Sequence, residues 1–366
     1  MAAETTKVLV VGATGYMFVF PESQLLPMNL SEFGGSILAE LLHSQDRANI
    51  SVSALIRRPE QAAALENLGV KPIQFKGLGD LDACRDAASH HDVVINAASA
   101  SHDSSAKALI EGLSLRKQNT GKDAFMIHTS GTSILGDHPY TGTPQADKIW
   151  SDMTDEVFQM EKTYPERYGQ RVTDVAVVET GQKLDVKTYI VVPPTIYGKG
   201  SGPFATLSQQ VPNLARFARK RGSAAVIESG QGIWNHVHIS DLSRFYVLLF
   251  RAVLEQPSWL PHGPRAIFFV ESGEHTWLQV SQGIARAMHK QNLLATTEVK
   301  SVSLHEAAAH ITGGNESLLE ITLASNSRAR ADFARSRLGW STSRGDEDFL
   351  NHFEAEIASM EEEWKR

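Results

Sequence analysis

A single cysteine, Cys84, leaves nothing for an intramolecular disulfide to join. It falls in the helix-like run Leu81-Asp82-Ala83-Cys84-Arg85-Asp86-Ala87-Ala88, where a structural thiol is expected and a nucleophile is not. Long apolar runs are also missing. The longest, Phe245 to Leu254, contains Arg251 and is too short to span a bilayer. No excess of positive charge exists: the net charge of −7 and pI near 6.1 argue against nucleic acid or an anionic membrane as the main partner. The first strand begins by about Lys7, which leaves no room for a signal peptide, so a cytoplasmic protein is the simple expectation. Internal repeats and low-complexity tracts are absent. With 366 residues, 42% hydrophobic and 21% charged, the chain can bury a substantial core as one large α/β domain with a second lobe.

Residues Val8-Leu9-Val10-Val11-Gly12-Ala13-Thr14-Gly15-Tyr16 run from an apolar strand straight into a glycine-rich turn, the arrangement that grasps a dinucleotide pyrophosphate. One glycine is displaced. In such a loop the first glycine permits the turn, the second lets backbone N–H groups approach phosphate, and the third lets helix pack on strand. Here the third is delayed by residues 18–33, and joining Met17 to Gly34 restores G-x-x-G-x-x-G followed by an amphipathic helix. Two readings of FVFPESQLLPMNLSEF stand: a lid over the cofactor, or a translated remnant without design. The second is favoured, because an apolar stretch with two prolines is unusual where a loop is normally short. The helix is expected to restart near Ser31 or Gly34, capped by Asn29 or Ser31.

Apolar strand candidates at 7–11, 50–56, 72–75, 92–96, 125–129, 187–192 and 266–270 alternate with helical patterns at about 34–44, 59–68, 80–89, 104–118 and 155–163. This predicts a doubly wound parallel sheet, a Rossmann-type α/β fold, with its ligand crevice beyond the carboxyl ends of the strands. The expected division is a nucleotide-binding domain over 1–196 and a smaller lobe over 197–366, with 234–260 and 266–270 returning to the first domain. Phe349, Leu350, Phe353, Ile357, Met360 and Trp364 recur at helical spacing and predict a C-terminal amphipathic helix docked on the second lobe. The second strand ends in Arg57-Arg58 with no carboxylate. Arginine pairs with a 2′-phosphate where an acidic residue would bind a ribose hydroxyl, so NADP(H) is preferred over NAD(H).

Most of the chain resembles the extended short-chain dehydrogenase/reductase superfamily, the group of NAD(P)-dependent nucleotide-sugar epimerases and dehydratases, and within it the atypical fungal-type members. The resemblance rests on motifs in the right order across roughly residues 7 to 341. They are GATGY with the displaced Gly34-Gly35, Gly79-Asp80-Leu81, Val93-Val94-Ile95-Asn96-Ala97-Ala98, and His128-Thr129-Ser130-Gly131-Thr132-Ser133-Ile134-Leu135-Gly136-Asp137. Then follow Val192-Pro193-Pro194-Thr195-Ile196-Tyr197-Gly198, His236-Val237-His238-Ile239-Ser240-Asp241-Leu242, and Ser325-Asn326-Ser327-Arg328-Ala329-Arg330 with Leu338-Gly339-Trp340. It implies cofactor contacts from Gly12, Thr14, Gly15, Tyr16, Gly34, Arg57 and Arg58, from Asp80 and Leu81 at adenine, and from Ala97, Ala98, Ser99 and Thr129 along the channel. Pro193, Thr195 and Ile196 would lie near the nicotinamide. Asp80 equally fits a helix cap.

Catalysis departs from the pattern. The superfamily uses a tyrosine, a lysine four residues later, and a serine or threonine at the end of the fifth strand, yet no Tyr-x-x-x-Lys occurs here. Phe158 to Lys162 keeps the spacing without the hydroxyl, and the usual catalytic hydroxyl falls on Gly131, flanked by Ser130 and Thr132. Those two hydroxyls, with Tyr164 and Tyr168, are the catalytic candidates. The expected activity is NADP(H)-dependent hydride transfer on a small carbonyl or alcohol, or on a nucleotide-sugar. Two alternatives remain: a redox-sensing regulator that binds NADP(H) without turnover, or a site disabled by the insertion. A small-molecule substrate is the expected partner, with homodimerisation left open. His236 and His238 share a strand face, but two ligands do not make a metal site. One is expected to pair with Asp241 and the other to pack near Trp234; His138 and Tyr140 follow the hydroxyl cluster in a surface loop.

Overall fold

In the computed structural model, residues 5–14, 34–360 and 364 are described. The apolar runs form β1 (Thr6–Val11), β2 (Ile50–Ile56), β3 (Lys71–Gln74), β4 (Val93–Asn96), β5 (Phe125–Thr129), β6 (Lys187–Val192) and β7 (Ile267–Phe269). They make one seven-stranded sheet in the order β7-β6-β5-β4-β1-β2-β3, and every neighbouring pair is parallel. Val8 to Val11, Val93 to Ile95 and Ile190 to Val192 are fully buried, as a parallel sheet covered on both faces requires. The chain therefore adopts the doubly wound α/β fold. Strand order reverses between β1 and β4, which opens a crevice beyond their carboxyl ends.

Helices α1 (Gly34–His43), α2 (Ala62–Asn67), α3 (Leu81–Ser89), α4 (Asp103–Thr120), α5 (Val157–Thr163) and α6 (Gly169–Leu184) join these strands. The α6 helix is absent from the sequence-based expectation. Its buried residues include Gln170, Arg171, Thr173 and Asp174, so polar side chains stand where apolar ones would mark helical period. Cys84 is wholly buried in α3 and its thiol is pushed up to about 11 by desolvation, which keeps it inert.

A second core holds Phe217, Trp277, Met288, Phe349, Phe353 and Ile357, packed among α7 (Gln210–Arg221), α9 (Trp277–Lys290) and the C-terminal helices. Between these two, α8 (Ile239–Glu255) returns to pack on α1. Strands Thr195–Tyr197, Ile233–His238 and Gly273–Thr276 form a small sheet above the crevice. The single C-terminal helix expected from periodicity is instead two, Asp346–Asn351 and Phe353–Ser359. They join at His352, whose ring and backbone N–H both donate to the Phe349 carbonyl and tighten the turn.

Candidate functional site

The β1 turn is built so that only glycine fits. Gly12 has φ +91°, and a Cβ there would stand 2.6 Å from the Ala97 carbonyl oxygen. A Cβ on Gly34 would stand 2.3 Å from the Gly12 carbonyl oxygen. Helix α1 thus returns to the turn at the place of the third glycine, and the backbone-lined cradle suits a pyrophosphate. Gly15, Tyr16, the stretch 18–33 and the cap candidates Asn29 and Ser31 lie outside the described residues.

Beside this cradle Thr14, Leu55, Arg57, Phe75, Leu78 and Ala98 line a small recess. The Arg57 stem lies along Gly77, with Cδ 3.6 Å from a Cβ built there, and burial plus the neighbouring Arg58 pull its guanidinium down to about 10. Arg58 is exposed at the same strand end. Neither Asp80 nor Leu81 lines this recess. Asp80 accepts hydrogen bonds from the N–H groups of Ala83 (3.4 Å) and Lys76 (3.2 Å) and caps α3, while Leu81 packs on the main core. Ala97 is pressed against Gly12, and Ser99 accepts from the Ser101 N–H at 3.3 Å.

The hydroxyl cluster after β5 divides by direction. Thr129 bonds to Tyr246 of α8 in the core, and Ser130 donates to Asp174 of α6, so both point away from the crevice. Thr132 and Ser133 instead line a cleft shared with Tyr168, Pro193, Gln209 and Trp234. The Thr132 N–H donates to the Pro193 carbonyl at 3.0 Å, which leaves its side-chain Oγ1 buried without a partner. The Tyr168 hydroxyl donates to Ser133 Oγ at 3.0 Å, and Ser133 donates to Gln170 Oε1 at 2.5 Å. Burial pushes Tyr168 up to about 12, so it is a neutral donor at physiological pH.

Tyr164 lies under Arg171, whose guanidinium is 3.5 Å from the ring centroid, and it does not line the cleft. Arg171 is fixed in turn by donating to the carbonyls of Ile134 (2.8 Å) and Gly136 (3.2 Å). Four residues beyond Tyr168 the helix carries Val172, not lysine. Lys162 pairs at the surface with Glu179 at 2.8 Å. Ile196 lines an apolar recess with Pro194, whereas Thr195 is wholly buried with its hydroxyl turned inward.

Behind the β5 end lies a closed polar cluster. Asn96 Nδ2 donates to His128 Nδ1 at 3.1 Å, His128 Nε2 is 3.6 Å from Asp174 Oδ1, and Glu161 of α5 meets Asp174. Desolvation holds His128 neutral, down to about 3, and raises both carboxyls, Asp174 to about 8. The histidine pairing expected with Asp241 is not formed: Asp241 accepts from Ser343, Arg344 and Arg244. His236 stacks on Phe349 at 4.1 Å and meets His275, and His238 bonds to Ser240. His138 is held between Glu166 and Glu320, and the Tyr140 hydroxyl bonds to Ser229, so neither lines the cleft. Among the described residues no three His, Cys, Asp or Glu side chains group to hold a metal, and no helix is long and apolar enough to cross a membrane.

A parallel sheet with a glycine cradle at its switch point, a recess beside Arg57 and a hydroxyl-lined cleft defines a nucleotide-binding Rossmann protein of the extended short-chain dehydrogenase/reductase type. Residues 31–259 match the NAD dependent epimerase/dehydratase family, and the chain belongs to it. That family brings NAD(P)-dependent, oxidoreductase-like chemistry as the general class of function. "Oxidase ucsJ" of Acremonium sp. is 30% identical over 321 residues, spanning 83% of this chain and 85% of that one. The fold is similar to dTDP-glucose 4,6-dehydratase of Bacillus anthracis solved with NAD, with a TM-score of 0.63 and 12% identity over 99% of both chains. It is likewise similar to UDP-glucose 4-epimerase of Thermotoga maritima solved with UDP-glucose, with a TM-score of 0.60 and 12% identity over 97% of this chain and 99% of that one.

Gln170, Gln209, Asn213 and Asp174 were not singled out from sequence, and Trp234 was expected only as a packing neighbour of a histidine. Only the Gln209-Gln210 pair just ahead of a helix carried a usable signal.

Proposed function

We propose that the chain binds NADP(H) in the crevice over β1, β2 and β4 and exchanges hydride with a carbonyl or alcohol held in the cleft beside Thr132 and Tyr168. The observation that carries this is the contact of Gly34 with the Gly12 carbonyl, because it keeps the pyrophosphate cradle closed despite the inserted residues. Arg57 and Arg58 supply the two positive charges at the ribose 2′ position, and Leu78 and Phe75 flank adenine. The cofactor supplies or accepts the hydride.

The chain's own residues handle the oxygen and its proton. Thr132 Oγ1 donates to the substrate oxygen. The neutral Tyr168 hydroxyl, which donates its hydrogen bond to Ser133 Oγ before substrate binds, delivers its proton to the substrate oxygen as the carbonyl is reduced to an alcohol, and a proton from solvent restores it. Arg171 positions this end of α6 through the carbonyls of Ile134 and Gly136. The two lobes divide near residue 196 in this reading, with the cleft between them. Val172 at the lysine position favours a second reading, a regulator that holds NADP(H) without turnover.

Fluorescence titration of the full chain with NADPH tests the first step, and absence of binding overturns both readings. Turnover of aldehydes and ketones followed by NADPH oxidation separates them. Tyr168→Phe is expected to lower kcat by about 100-fold or more with NADPH affinity unchanged. An unchanged kcat assigns the proton elsewhere.

A further inference from the structure

The substrate cleft carries no charge. From Gly131 and Tyr168 at one end, through Pro194 and Gln209, to Ile239 at the other, the described lining residues include no Lys, Arg, His, Asp or Glu until the recess opens outward. Arg216 engages the Asn213 amide oxygen at 2.8 Å and is not itself a lining residue. Lys199, His238 and Arg344 line only the pocket beyond Gly198, Thr206 and Leu207, so a diphosphate bound within the cleft itself would leave water without a compensating cation, which is strongly unfavourable.

What the cleft offers instead is hydrogen-bond donors. Thr132 Oγ1 is buried without a partner, and so are Gln170 Nε2 and Gln209 Nε2. Gln170 is wholly buried, and its Nε2 lies 3.4 Å from where a Cβ on Gly131 would be. The glycine at the family's hydroxyl position therefore removes the side chain that would stand between this amide and the cleft. Unpaired buried donors are costly and rare in folded proteins, and gathered at one cleft they call for acceptors on a ligand. The apolar remainder, Trp234, Leu318 and Leu323, matches a hydrophobic body.

We infer that the cleft takes an uncharged, largely apolar compound bearing at least two carbonyl oxygens, and not a sugar nucleotide. This rests on the proposed function and selects its substrate class. The test is calorimetric titration of the full chain, with and without saturating NADPH, using isatin as the neutral dicarbonyl probe and UDP-glucose as the diphosphate. Isatin is expected to bind at least tenfold more tightly than UDP-glucose. Thr132→Val and Gln209→Leu, each checked for an unchanged melting temperature, are expected to weaken isatin about 2- to 10-fold and to leave UDP-glucose unaffected. Tighter binding of UDP-glucose, binding of neither probe, or isatin affinity unchanged in both variants overturns the assignment. Failure of NADPH to bind is read in a separate titration and sinks the proposed function, not the ordering of the two probes.

Discussion

The buried carboxyls Glu161 and Asp174 give the protein a stability whose pH dependence has a definite sign. Asp174 is wholly buried on α6, accepts from Ser130 and meets Glu161 of α5. Desolvation is the largest cause for both, raising Glu161 well above the usual range and Asp174 from 3.8 to about 8. His128 beside them is held neutral by burial, down to about 3, and supplies no positive charge to offset theirs. The folded state therefore retains protons that the unfolded chain releases above about pH 4. The pair's contribution to stability is complete below that pH and is lost as pH rises toward 8. Across the window each extra proton held by the folded state costs about 1.4 kcal/mol per pH unit, so raising the pH from 6 to 8 removes up to about 3 kcal/mol per proton.

Asp174→Asn keeps the shape and an oxygen for Ser130 while removing one titration, and adding Glu161→Gln removes the other. Urea unfolding at pH 7.5, 8.0 and 8.5, above the range in which the unfolded chain protonates its histidines, is expected to show stability falling with pH in the parent, a shallower fall in the single variant and the shallowest in the double. Asp152, raised by burial to about 7, adds a residual slope of the same sign, while His128, His236 and His275, lowered by desolvation, act against it as pH falls toward 6.5. A parent whose stability rises over this range, or an Asp174→Asn variant with the parent's slope, refutes the reasoning.

Gly12→Ala places a methyl 2.6 Å from the Ala97 carbonyl at φ +91°, so it is expected to abolish NADPH binding by fluorescence titration and to cost more than about 1 kcal/mol of stability. Arg57→Ala and Arg58→Ala are expected to weaken NADPH at least tenfold more than NADH in the same assay; equal losses argue against a 2′-phosphate partner. Phe349→Ala empties the space against the adjoining rings of His236 and His275, and urea unfolding is expected to show a loss of about 3–5 kcal/mol with no change in NADPH affinity.

Local pattern sufficed for the strands and failed where function sits. All seven strands of the sheet were legible, six of them because each is a short, largely apolar run buried on two faces; β3, Lys71–Gln74 at the sheet edge, is only part-buried. The return of Gly34 to Gly12 was legible too, since the spacing of glycines carries its steric requirement wherever the intervening chain goes. Side-chain direction was not. Ser130 and Thr132 looked equivalent in sequence, and only the packing of α6 decides that Ser130 turns inward to Asp174 while Thr132 faces the cleft. That helix was itself hidden, because Gln170, Arg171 and Asp174 occupy its buried face and erase the apolar period. The same polar face that conceals the helix holds Ser133, the Ile134 carbonyl and Ser130, and so orders the residues around the cleft. A stretch of buried polar residues just before the sixth strand is thus a better pointer to the site in this chain than the missing Tyr-x-x-x-Lys, because each such residue costs stability unless a hydrogen bond across the cleft's floor offsets it.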